Sequence, residues 1–169
     1  GTATITVTGK GNYTGTATGT YTIGRKSIES ATVSTIAKQT YTGSAICPMI
    51  SVTLDGKTLV AGTDYSVSYS NNVNASQTAT VVVTGMNNYT GKVSKTFTIQ
   101  AASISNATIE KITDCTYDDG NAIKPEPTVS VNGVDLVKDT DYTLSYSNNT
   151  NIGTATITIT GMGKYVGTK

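Results

Sequence analysis

The chain writes the same unit more than twice, at a period of 76, and nothing else in it limits the fold so strongly. GTATITVTGKGNYTGT at Gly1–Thr16 and GTATITITGMGKYVGT at Gly153–Thr168 differ at only four positions, and TATVVVTGMNNYTGK at Thr78–Lys92 is the copy between them. Tyr13, Tyr89 and Tyr165 follow one another at that offset, and so do Gly15, Gly91 and Gly167. TDYSVSYSNN at Thr63–Asn72 returns as TDYTLSYSNN at Thr140–Asn149, at an offset of 77. One extra residue near Asp119 creates that offset, and one near Gln77 restores 76. Such a period is too long for a solenoid repeat and suits a small independent domain. The repeat divides the chain into residues 1–23, the C-terminal hairpin of one unit; 24–101, a complete unit; and 102–169, a third unit without its last strand. The segments IGRKS (Ile23–Ser27) and IQAAS (Ile99–Ser103) read as short linkers that limit bending.

Within a unit the side chains alternate. Tyr65, Val67 and Tyr69 share one face of DYSVSYS, with Ser66, Ser68 and Ser70 opposite. Tyr142, Leu144 and Tyr146 take the first face in the third unit. Ala79, Val81 and Val83 share a face, as do Ala3, Ile5 and Val7, opposite a row of threonines. Period two with one apolar face predicts half-buried antiparallel strands. LDGK and VNGV carry the Asp-Gly and Asn-Gly pairs of two-residue hairpins. Seven strands are predicted near 31–36, 40–42, 48–54, 57–60, 64–70, 77–85 and 92–99, with no helix, which points to an all-β antiparallel sandwich. Composition agrees: 34 threonines stand against four leucines, and β-branched side chains suit a pleated surface. Tyr65 and Tyr69 then read as core residues, and the SNN after them as the loop that ends the strand.

The bulk properties exclude several functions. A net charge of +1 offers no electrostatic footprint for nucleic acid or an anionic membrane. No apolar run approaches the roughly 20 residues that a spanning helix needs, so membrane insertion is not expected. Two cysteines, Cys47 and Cys115, are too few for a disulfide framework or a zinc site. They fall at non-equivalent positions about one unit apart, beyond the ~7 Å between Cα atoms that a disulfide tolerates.

The blocks TDYxxSYSNN and GxxxYxG, recurring in register as GTDYSVSYSNN…TATVVVTGMNNYTGKVSKTFTI, resemble the bacterial immunoglobulin-like repeats of large surface and secreted proteins from Gram-positive gut bacteria. The resemblance covers essentially the whole chain. It implies tandem immunoglobulin-like β-sandwich modules in an exported, extracellular protein, whose partners are the neighbouring modules of the same polypeptide. It also implies a non-catalytic spacer that holds other modules away from the wall. The alternative is an adhesin-type module that binds a host protein or a glycan. Cys47, Cys115 and the DDGN insertion depart from the pattern and leave room for a specialised third unit.

Candidate sites are few. Hydrolysis needs a positioned base or paired carboxylates; the chain has no histidine, and its acids mostly occur in one copy only. No enzyme and no cofactor are expected. Asp64 and Asp141 align, follow Thr and precede a strand, which favours a turn-capping role. DCTYDDGN gathers Asp114, Asp118, Asp119 and Asn121, oxygen ligands of the kind calcium takes, although without the spacing of a calcium loop. Tyr41 and Tyr117 lie beside turns and are the best-exposed aromatic candidates for a sugar platform. Lys95 shares a face with Val93, Phe97 and Ile99, where a lysine could crosslink to Asn or Asp; the simpler reading is a stem that covers apolar surface while its head reaches solvent. Finally, a third unit without its last strand is expected to expose a sheet edge, which the N-terminal hairpin of another copy could complete head to tail.

Overall fold

The computed structural model describes residues 1–169 and is all-β, with several sheets and no helix, an arrangement consistent with a sandwich. β1 (Thr2–Thr8) and β2 (Thr16–Thr22) form an antiparallel hairpin, paired from Thr2↔Thr22 to Thr8↔Thr16. The next repeat holds β3 (Lys26–Ser27), β4 (Thr32–Val33), β5 (Gln39–Thr40), β6 (Val52–Leu54), β7 (Lys57–Thr58), β8 (Tyr65–Ser70), β9 (Gln77–Gly85), β10 (Tyr89–Thr90) and β11 (Lys92–Gln100). The last repeat holds β12 (Ala102–Ser103), β13 (Thr108–Ile109), β14 (Val129–Val131), β15 (Val134–Asp135), β16 (Tyr142–Ser147), β17 (Thr156–Gly161) and β18 (Tyr165–Val166).

The middle repeat has a sheet of order β5-β11-β9-β8, a second of order β4-β6-β7, and the parallel pair β3–β10. The third repeat reproduces these as β16–β17, β13-β14-β15 and β12–β18. Of the pairings made by β5 and β11, only the start of the β9–β11 ladder has a counterpart there, the bridge between Thr160 and Thr168.

The chain divides into two compact units: residues 1–35, 49–69 and 81–95 in one, 36–48, 70–80 and 96–169 in the other. Neither coincides with a sequence repeat, yet each carries one hydrophobic cluster, and the two clusters match at eight of their nine buried positions, Val33 in the first and Ala102 in the second standing alone. The first contains Ile28, Ala31, Val52, Leu54, Leu59, Tyr65, Val83 and Tyr89. The second contains Ile104, Ala107, Val129, Val131, Leu136, Tyr142, Ile159 and Tyr165. Each fully buried Ile or Val removes enough apolar surface from water to contribute roughly 1.5–3 kcal/mol. The tyrosine–serine alternation sorts the inside from the outside as expected. Tyr65 and Tyr142 are 2% and 4% exposed, the next two inward positions are half-buried, and the serines between them are exposed.

The local signals map onto definite geometry. Asp55 and Gly56 turn β6 into β7 with both φ angles positive, and Asn132 and Gly133 do the same between β14 and β15. This is the left-handed pair that a two-residue hairpin requires. Asn71 and Asn148, the first asparagines of SNN, also have positive φ. The second asparagines tie the loop down: Asn72 Nδ2 donates to Ile46 O at 3.0 Å, and Asn149 Nδ2 to Ile123 O at 2.9 Å.

Four expectations need correction. The strand predicted at 48–54 pairs only from Val52, four residues beyond Pro48, which has no N–H to give a ladder. The strand predicted at 31–36 shortens to Thr32–Val33. The linkers are not plain spacers, because Lys26–Ser27 and Ala102–Ser103 run as parallel strands beside Tyr89–Thr90 and Tyr165–Val166. Lastly, the apolar face of the N-terminal hairpin is not inward. β1 and β2 pair only with each other, and Ile5 and Val7 stay exposed because no second layer covers them.

Candidate functional site

The clearest concavity is a cleft of about 680 Å³ in the third repeat. Ile157 and Ile159 of β17, Ile109 of β13 and Tyr146 of β16 contribute its apolar surface. Ile112, Cys115, Tyr117 and Ile123 line it from the irregular segment that follows β13, and Asn148–Thr154 add a polar rim. The SNN loop anchors this rim, since Ile123 N also donates to Asn149 O at 2.8 Å. Tyr146 Oη donates to Pro125 O at 2.8 Å, and burial pushes its hydroxyl above the usual tyrosine range.

The origin of the cleft follows from the repeat. In the middle repeat β11 lies between β9 and β5, with Ile99 paired to Gln39 and Gln100 to Thr40. Phe97 and Ile99 are 4% and 0% exposed there. In the third repeat β17 meets no such strand beyond the start of the ladder. Ile159 and Lys169 exchange backbone hydrogen bonds at 2.9 Å, and Thr160 bridges Thr168. Cys115 and Thr116, equivalent to Gln39 and Thr40, belong to no strand. By the repeat offset the cleft lies beside β17 where β11 lies beside β9 in the middle repeat.

The candidate residues fall in separate places. Asp64 Oδ2 accepts from Val60 N at 2.9 Å, and Asp141 Oδ2 from Val137 N at 3.0 Å, so both cap the turn before their strands. Asp118 O accepts from Asn121 N at 2.7 Å, and Asp119 and Gly120 both have positive φ; the inserted residue makes a tight turn. Asp114 lines the cleft instead, and nowhere do three His, Cys, Asp or Glu side chains converge on one point. Tyr117 is 49% exposed at the cleft. Tyr41 is half-buried rather than exposed: its ring meets Tyr165 edge-on with centroids 5.8 Å apart, and Lys164 Nζ sits 5.8 Å from its centroid. The two tyrosines do not form one platform.

Lys95 is half-buried on β11. The two ion pairs of the chain, Lys26–Asp55 and Lys138–Glu126, do not involve it. Both cysteines are free and exposed. Asp114 is the one carboxylate on the cleft, with no histidine anywhere to accept a proton. Sequence reasoning missed the lining Ile109, Ile112, Ile123 and Ile157. By repeat offset they stand at Val33, Ile36, Ile46 and Val81, of which Val33 and Val81 are buried and Ile36 and Ile46 half-buried.

Compared with protein-family models, curated proteins and solved structures, the chain finds no match.

Proposed function

We propose that this chain is a run of immunoglobulin-like modules acting as a non-catalytic spacer in an exported bacterial surface or secreted protein. The observation that carries the reading is that the two hydrophobic clusters share eight of their nine buried positions and the same hairpin turns. What repeats is architecture: the inward tyrosines, the capping aspartates, the asparagine staples and the hairpin turns. Polar side chains able to bind or react do not repeat. The family resemblance supplies the extracellular setting, and the near-neutral charge gives no reason to expect nucleic acid or membrane as a partner.

A spacer resists tension module by module. Pulling the chain between its termini should give a discrete unfolding event for residues 24–101 that releases roughly 25 nm of contour. Smooth extension without such an event would count against the reading.

The rival is an adhesin-type module, and the feature in its favour is the cleft with exposed Tyr117, which differs between repeats. A panel of glycans and extracellular-matrix proteins separates the two. The spacer reading expects no saturable binding; micromolar binding abolished by Tyr117→Ala would favour the adhesin.

A further inference from the structure

We propose that the ring contact between Tyr41 and Tyr165 is a lock on the joint at Ala101, which keeps the third repeat from bending against the strands that precede it. All of its parts lie within one compact unit of the chain, residues 36–48, 70–80 and 96–169. β11 ends at Gln100 and β12 begins at Ala102, so Ala101 is the single residue between the two strands. Each side of the joint has its own parallel partner. Gln100 stands beside Thr40 of β5, and Ala102 beside Tyr165 of β18. Separate hydrogen bonds hold the two pairs: Tyr41 N donates to Gln100 O at 2.9 Å, and Ala102 N to Lys164 O at 3.0 Å. Gln100 Nε2 also donates to Thr40 Oγ1 at 3.3 Å, which fixes the end of β5 that presents Tyr41.

Ala101 brings two soft dihedrals between these pairs, and the side chains that close across it are aromatic. Tyr41 belongs to the middle repeat by sequence, yet it packs against the hydrophobic cluster of the third. Its ring meets that of Tyr165 edge-on, with centroids 5.8 Å apart and planes at 89°. Such a pair contributes beyond the area it buries. Lys164 Nζ lies 5.8 Å from the centroid of the same Tyr41 ring, within the range of a cation–π contact. Lys164 stands where the other copies have Asn12 and Asn88, so the cation is particular to this joint and not a property of the repeat.

The lock deepens the spacer reading by making one joint stiff, and its test does not depend on where the protein works. Cys47 and Cys115 are free and exposed, one on each side of Ala101 in the chain. Nitroxide labels on these native thiols report the distance across the joint by double electron–electron resonance. The unsubstituted chain should give one narrow distribution, and Tyr41→Ala should widen it about twofold as the joint opens. Tyr41→Phe keeps the ring and should restore the narrow distribution. Amide exchange supplies a second readout. The Ala102 N–H should exchange about tenfold faster in Tyr41→Ala and about threefold faster in Lys164→Gln. The Leu59 N–H, bonded to Val52 O in the other compact unit, should keep its rate and so marks the chain as folded. A distribution as broad in the unsubstituted chain as in Tyr41→Ala overturns the proposal. So does a Tyr41→Phe chain that behaves like Tyr41→Ala, or acceleration at Leu59 equal to that at Ala102.

Discussion

Asp64 and Asp141 look like catalytic candidates to anyone searching for paired acids, yet each spends a carboxylate oxygen on a backbone N–H four residues upstream. Asp141 is buried, and its loss removes the acceptor that Val137 N uses. A charged hydrogen bond of this kind is worth about 1.5–3 kcal/mol. Asp141→Ala should lower the denaturation midpoint by that order, and Asp64→Ala, at a more exposed site, by less; equal or negligible losses in urea titrations would remove the capping account. The resolved titration shifts all point one way. Burial raises the hydroxyls of Tyr142, Tyr146 and Tyr165 above 10.0, and hydrogen bonds to Tyr89 and Glu126 raise Lys57 and Lys138 above 10.5. A raised folded value means that the folded state holds its proton longer than the unfolded chain does. These contributions are complete below about pH 10 and are lost as pH rises through the folded values. Thermal melts from pH 8 to pH 11 should therefore show a flat Tm up to about pH 10 and a fall beyond it.

At the level of elements, the GxxxYxG block explains itself once its backbone is seen. A Cβ on Gly85 would stand 2.7 Å from Thr90 N, and one on Gly161 would stand 2.9 Å from Val166 N. The chain doubles back so tightly after β9 and β17 that only hydrogen fits. Gly91 and Gly167 close the same turn with positive φ. Gly85→Ala should destabilise by about 1–3 kcal/mol through overpacking. Gly19→Ala, where nothing lies within 4 Å, should be neutral or slightly stabilising in calorimetry. Strands with a strict alternation, β8, β9 and β11, were legible almost to the residue, because period two and one apolar face fix both existence and register. The two-residue strands β3 and β12 were not legible. Their pairing depends on Tyr89 and Tyr165 being delivered most of a repeat later in the chain, and a polar dipeptide such as Lys26–Ser27 carries no local sign of that.

For the molecule as a whole, self-similarity exposed most of the organisation, since a period of 76 implies equivalent cores before any strand is placed. What it hid was the lining of the cleft. Ile109 stands on a two-residue strand and Ile112 in an irregular segment, and only the folded chain places them beside Ile157. The exposure of Ile5, Val7 and Tyr21 on the hairpin was hidden for the same reason: alternation identifies an apolar face, while its covering depends on another layer. All of this rests on the tyrosine–serine alternation being the inside and outside of a sheet. Tyrosine nitration with tetranitromethane, mapped by mass spectrometry, tests it directly. Tyr13 and Tyr117, at 78% and 49% exposed, should react rapidly while Tyr65 and Tyr142 remain protected until the chain unfolds; nitration of Tyr65 and Tyr142 in the folded chain as fast as that of Tyr13 would contradict the account.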